Sequence, residues 1–385
     1  MNRISRNLST SDPVPEPSRI ADGPVQSQTV LVLQGGGALG AYQAGVYQAL
    51  VEGGIELDWV IGTSIGAINA ALIAGNEPQD RLPRLREFWD SVSRSSPLDE
   101  FFQMMLPSNV FANVGTIVRG IPGFFEPNPS ALLGVNREVG VEKASYYTTD
   151  PLKRTLGNLI DFDYLNRRQT RLTVGAVNVN TSELKYFDSR DLTLSPAHIM
   201  ASGALPPAFP AVCIDGEPYW DGGIYSNTPI EVVLDARPRR DALIFAVNMW
   251  QPNGTEPKSI WQVMGRQKDL QYASRGKSHV ARQEQLHRLR HVVREMGKLV
   301  PEELREDPRF KELASYGCPS VMHLVRLLSP RLDGEDHTKD IDFTRAGIRT
   351  RWQAGYEHGL RVLSEKPWEC DVDMLQGIVI HESQE

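Results

Sequence analysis

The sequence predicts an α/β protein with a mostly parallel central sheet, and three observations carry that prediction. The apolar, β-branched run Gln28-Thr29-Val30-Leu31-Val32-Leu33 enters a glycine-rich loop, Gln34-Gly35-Gly36-Gly37-Ala38-Leu39-Gly40, and then a helical pattern from Ala41 to Glu52. A second apolar run, Leu57 to Ile61, enters Gly62-Thr63-Ser64-Ile65-Gly66 and a small-residue helical run from Ala67 to Ala74. A further buried strand is expected at 242–248 (Ala-Leu-Ile-Phe-Ala-Val-Asn). Adjacent parallel strands put their carboxyl-end loops side by side, so two special loops are expected to meet.

Composition bounds the function. The chain has 385 residues, 41% hydrophobic and 23% charged, enough for a real core in one large or two ordinary domains. A formal net charge of −7 argues against nucleic-acid binding. Three widely spaced cysteines (Cys213, Cys318, Cys370) suit no disulfide framework and fit a reducing compartment. Residues 1–27 are rich in Ser, Pro, Asn and Arg, and read as a disordered leader without the apolar core of a signal peptide. The uncharged run from Trp59 to Gly75 contains Gly, Thr, Ser and Asn, so it reads as buried core instead of a membrane span. The expected location is cytoplasmic, with any membrane contact peripheral.

The remaining elements follow in order. Residues 81–93 read as an amphipathic helix. The stretch 97–135 is rich in Phe, Leu, Ile and Met and broken by prolines. It reads either as a lid or acyl-chain wall touching a membrane, or as core under a long connection. Asp150-Pro151 marks a helix start. Residues 170–179 and 183–188 read as paired strands, and Ser195-Pro196-Ala197-His198 caps a short helix through Ala204. Residues 212–220 have the shape of a hairpin that delivers Asp221-Gly222-Gly223. Residues 258–297 read as a long helix whose basic part, 266–294, faces solvent, anionic lipid or a partner. Val321 to Leu328 reads as a late strand, 333–342 as a surface loop, and Asp342 to Val362 as a helix.

Two motifs carry chemistry. Gly-x-Ser-x-Gly between a strand and a helix has the context of a nucleophile elbow, where Ser64 sits in a strained turn and Gly62 and Gly66 allow close packing. The Gly35–Gly40 loop gathers backbone N–H groups at a helix start, an anion site. That anion is either a pyrophosphate, since Gly35-x-Gly37-x-x-Gly40 fits the dinucleotide fingerprint with Glu56 or Asp58 downstream, or a transient oxyanion. The Ser-bearing second strand favours the oxyanion. An NAD-type oxidoreductase remains the alternative from another class. A Ser-Asp-His esterase using His323 or His337 is a second alternative.

With Gly35-Gly36-Gly37-Ala38-Leu39-Gly40, Gly62-Thr63-Ser64-Ile65-Gly66 and Asp221-Gly222-Gly223 in this order, the chain closely resembles the patatin-like phospholipases, a family of serine lipid acyl hydrolases. Ala201-Ser202-Gly203-Ala204-Leu205-Pro206 and Asn227-Thr228-Pro229 add to the likeness. The resemblance spans 28–250, and 251–385 looks like a C-terminal extension seen in a bacterial branch. Many members carry Arg or Lys where this chain has Leu39. The resemblance implies a three-layer α/β/α sandwich, with a helical extension packed on the catalytic domain. It also implies a Ser64–Asp221 dyad: Ser64 the nucleophile, Asp221 the general base, and the glycines Gly35, Gly36 and Gly37 the oxyanion hole, its donors the N–H groups of Gly36 and Gly37. Gly40, Gly62, Gly66, Gly222 and Gly223 would support them. The expected substrate is a lipid or other acyl ester, with no cofactor and no metal.

Overall fold

A computed structural model describes residues 27–93, 119–134, 136–332, 335 and 337–383 of the chain. Most of the expected leader, and residues 97–118 and 135 of the apolar stretch, lie outside the described residues.

The first strand β1 (Gln28–Leu33) runs through a 3-10 turn into α1 (Ala41–Glu52). Next come β2 (Trp59–Gly62), α2 (Ile65–Ala74) and α3 (Pro78–Ser91). A small ribbon pairs β3 (Glu126–Pro127) with β4 (Tyr147–Thr148). Helices α4 (Asp150–Leu159) and α5 (Phe162–Asn166) lead to β5 (Arg171–Asn178) and β6 (Leu184–Asp188). Then follow α6 (Pro196–Ser202), the hairpin β7 (Val212–Ile214) and β8 (Glu217–Asp221), α7 (Glu231–Leu234) and β9 (Ala242–Asn248). The C-terminal segment holds α8 (Ile260–Lys298), α9 (Pro308–Ala314), β10 (Met322–Leu328), α10 (Arg345–Glu365) and β11 (Ile378–Glu382).

The sheet order is β11-β10-β9-β1-β2-β5-β8-β7, with β6 also on β5. From β11 to β5 every neighbour is parallel, whereas β6, β7 and β8 pair antiparallel. Alternation along β1 splits the core by face. Leu31 and Leu33 join a cluster with residues of α1, α2, α3 and α10, while Val30 and Val32 join one with Ile230, Val233 and Val280 of the opposite side. Helices on both faces make three layers, as the resemblance implies. No helix among the described residues is long and apolar enough to cross a membrane.

The segment after 250 packs on the rest, but it is more than a helical addition. Strand β10 pairs with β9 over seven residues, and β11 extends the sheet beyond it. Helix α10 lies on α1, joined by Tyr42–His358, Trp352–Gln48 and Tyr356–Glu52 hydrogen bonds. The expected boundary near 250 therefore divides the sequence while the sheet runs across it.

Candidate active site

The register explains how two residues far apart in sequence meet. Strand β5 is longer than β2. Its first half pairs with β2, up to Gly62 beside Val174, and its far end pairs on the same edge with β8, where Ala176 faces Asp221. Strand β6 occupies the other edge. Asp221 thus lies just past the carboxyl end of β2, where the chain turns into Ser64.

Ser64 is the N-cap of α2, with φ 58 and ψ −125. Positive φ in a residue with a Cβ is a strained state that persists only where the surroundings impose it. Here the Ser64 N–H donates to both the carbonyl and the hydroxyl of Ser202, at 3.1 and 3.2 Å. A Cβ on Gly62 would lie 2.2 Å from the Gly66 carbonyl, and one on Gly66 would lie 2.3 Å from the Leu33 carbonyl. Strand, turn and helix are in backbone contact, so the two glycines are obligatory.

The Asp221 carboxyl is 2% exposed. It accepts the Gly223 N–H at 2.7 Å, and Ser64 lies near enough to lower its pKa. Burial pushes its pKa up to about 7, against the opposing pull of the Gly223 hydrogen bond and of Ser64. A carboxylate that titrates near neutrality and lies beside a serine is suited to act as a general base.

The glycine loop faces this pair. The Gly35 N–H donates to the Asn227 carbonyl at 3.1 Å, so of the three expected oxyanion glycines Gly35 has its donor committed elsewhere. The N–H groups of Gly36 and Gly37 have no bonded acceptor among the described residues. The aim of the Gly36 N–H is set from behind. The Gly35 carbonyl accepts from Asn227 Nδ2 at 3.0 Å and from Trp250 Nε1 at 2.7 Å. In a planar trans peptide the C=O and the following N–H point opposite ways, so pinning one fixes the other. Buried Gln34 reinforces the loop, accepting from the backbone N–H groups of Met249 and Trp250 and donating to Thr228 Oγ1 at 2.7 Å. Gly37 has φ +56, and a Cβ there would meet the Asp340 carbonyl at 2.2 Å. Loss of one donor to the Gly35 carbonyl, in Trp250→Phe, should lower kcat roughly tenfold with KM little changed, less than the 10²–10³ typical of an oxyanion donor itself. Steady-state kinetics alongside a melting curve checks this.

A cavity of about 240 Å³ opens onto these groups, lined by Gly36, Gly37, Ser64 and Asp221 at one end. Phe124, Phe125, Leu152, Met200, Leu205 and Phe209 give it an apolar wall. Of the described part of the 97–135 stretch, Phe124 and Phe125 contribute to that wall and also belong to the core. Asp340, Ile341 and Tyr272 close it from the C-terminal segment. For 337–342 this corrects the expectation of a surface loop: Lys339 and Asp342 are buried, and Lys268 and Asp269 of α8 hold the segment through Asp340 (2.7 Å) and Lys339 (2.9 Å). Burial and the nearby carboxylates of Asp221 and Asp340 raise the Tyr272 pKa, so its phenol keeps its proton. Trp250, Tyr272 and Asp340 had no motif to announce them. The faint signal for Trp250 is its place just past the carboxyl end of a parallel strand.

The histidines and acids of the alternative readings fall elsewhere. His198 bonds to the Ser195 N–H and hydroxyl, a capping box on α6, as its position suggests. His323 is paired with His381, and His337 packs on Trp261. No histidine lines the cavity among the described residues. Asp58 accepts the Thr29 N–H at 2.7 Å, at the amino end of β1 and β2. A ribose partner belongs at the carboxyl end, beside the glycine loop.

Residues 31–234 match the sequence profile described as patatin-like phospholipase, and residues 270–375 match one described as patatin phospholipase. An uncharacterized NTE family protein of Mycobacterium tuberculosis is 40% identical over 96 residues, 25% of this chain and 15% of that protein. A lysophospholipase of Aspergillus terreus is 61% identical over 44 residues, 11% of this chain and 3% of that protein. Human patatin-like phospholipase domain-containing protein 6 is 37% identical over 90 residues, 23% of this chain and 6% of that protein. The matched regions thus span 15% or less of these curated relatives. Among solved structures, VipD of Legionella pneumophila aligns with a TM-score of 0.39 at 15% identity, over 88% of this chain and 67% of that one. ExoU in its complex with SpcU, from Pseudomonas aeruginosa, aligns with a TM-score of 0.34 at 17% identity, over 89% and 52%.

Proposed function

Because the chain belongs to the patatin-like phospholipase family, we propose that it is a serine acyl hydrolase cleaving carboxylic esters of lipids through an acyl-enzyme on Ser64. The observation that carries this reading is the convergence of a strained Ser64 and the buried Asp221 on one apolar-walled cavity.

Asp221 takes the Ser64 proton as Oγ attacks the ester carbonyl. Negative charge develops on the carbonyl oxygen and is met by the Gly36 and Gly37 N–H groups, with the amino end of α2 adding a favourable dipole. Collapse of the intermediate expels the alcohol, which receives its proton from Asp221. Water, activated by the same carboxylate, then releases the acid. Oriented backbone donors need no movement when the charge appears, which is why they are effective.

The apolar wall supports an acyl chain in the cavity and the alcohol portion toward Asp340 and Tyr272. A fluorophosphonate probe should label wild type, with the adduct mapped to Ser64 by peptide mass. Turnover of p-nitrophenyl esters from C4 to C16, with EDTA present, should favour medium chains over C4. Adduct on another residue, or labelling unchanged in Ser64→Ala, sinks the reading.

A further inference from the structure

His323, the second residue of β10, and His381, the fourth residue of β11, lie on one face of the sheet. Their rings are stacked, with interplanar angle 5° and centroids 5.3 Å apart, and His323 Nδ1 is 3.1 Å from His381 Nε2. Cys370 joins them: the three potential ligand atoms all lie within 4.8 Å of one another. We propose that His323, His381 and Cys370 form a site for a borderline-soft divalent metal ion, zinc foremost. It is separate from the Ser64 centre. Strands β9 and β1 stand between β10 and β2, so the site is roughly 14 Å across the sheet from the elbow at the usual strand spacing.

The donor chemistry favours this occupant. Two imidazoles and a thiolate are the ligands zinc selects among biological donors, and they exclude magnesium or calcium, which require oxygen. Zinc–nitrogen bonds of about 2.0–2.1 Å in a tetrahedral site put two nitrogens roughly 3.3 Å apart. The imidazole pair is already within a few tenths of an ångström of that value. Three protein ligands leave a fourth position for water.

The ligands are also held in place. Both histidines sit in parallel ladder pairing, His323 beside Leu243 and Val379, His381 beside Val325. Cys370 follows Trp368, whose ring packs edge-on against buried Phe245 of β9 with centroids 5.5 Å apart. The turn is closed by the Glu369 N–H bonding to the Lys366 carbonyl. Ligands on strands and on an anchored turn give a site whose geometry precedes the ion. The rival occupant is a proton shared between the two rings, which would involve no sulfur.

The test uses untagged, full-length protein stripped with a chelator. Calorimetry with Zn²⁺ should show one site per chain with Kd of about 1 μM or tighter. Titration with Co²⁺ should produce a thiolate-to-cobalt charge-transfer band. Cys370→Ser, at an exposed turn and therefore safe for folding, should abolish that band and weaken Zn²⁺ at least about 100-fold. His323→Gln should weaken Zn²⁺ similarly, and His381→Gln provides the same test should the first variant fold poorly. Absence of saturable binding, or binding that survives Cys370→Ser and the histidine variants, overturns the proposal in favour of the proton-sharing pair.

Discussion

Ser64→Ala is expected to lower kcat for ester hydrolysis by on the order of 10⁴–10⁶-fold, the cost of removing a nucleophile from a unit that acts together. The alanine keeps φ 58, so the fold and its strain should persist and the melting temperature should stay close to wild type. Ser64→Gly makes the comparison informative. Glycine adopts positive φ without penalty, so this variant should be equally inactive yet more stable, by about 1–3 kcal/mol. Active-site titration with a fluorophosphonate and denaturant unfolding of the three proteins would measure both quantities. A glycine variant no more stable than alanine would mean that the elbow stores no strain.

The second large effect concerns Asp221. In the folded chain its carboxyl holds its proton up to about 7, against a reference value of 3.8. Between those values the native state binds a proton that the unfolded chain has released. That uptake stabilises the native state at low pH, and its contribution is lost as pH rises through 7. Above pH 7 the enzyme therefore carries an ionised buried carboxylate, at a cost of roughly 4 kcal/mol for the displacement from 3.8 to about 7. Asp221→Asn removes that charge and keeps an oxygen for the Gly223 N–H. It should be inactive at every pH, more stable than wild type at pH 8.5, and progressively less advantaged below pH 7. On the proposed dyad, wild-type kcat/KM should rise with pH along a limb near 7, because a general base acts only when ionised. Urea unfolding at pH 5 and 8.5, together with a pH–rate profile, checks both halves. An acid limb near 4, or no gain in stability at pH 8.5, would contradict this account.

The centre of the fold was legible in the sequence because its signals are local. Strands buried on both faces appear as unbroken β-branched runs, and β1, β5, β9 and β10 fall within a residue or so of their expected spans. The elbow announces itself because only glycine tolerates the backbone contacts at 62 and 66. Strand β11 escaped notice. It is five residues at an outer edge, defined by pairing with β10 more than by its own pattern. The contributions of Trp250, Tyr272 and Asp340 depend on pairing across more than two hundred residues of sequence, and no local spacing encodes that. The loop at 333–342 misled because charge alone suggested solvent exposure, whereas Lys339 and Asp342 find buried partners in Asp269 and Arg351.

The approach of the Asp340 carbonyl to Gly37 ties the history of the two ends of the chain together. A side chain at 37 is admissible only in a lineage where 337–342 has first withdrawn, and the Lys268 and Asp269 anchors on α8 resist that withdrawal. The glycine loop and the C-terminal segment are therefore heritable as a pair. A chimera joining residues 28–250 to the tail of a distant relative would receive a foreign segment against its glycine loop. Recombination should accordingly respect the contact at 37 and 340 more strictly than the apparent seam near 250.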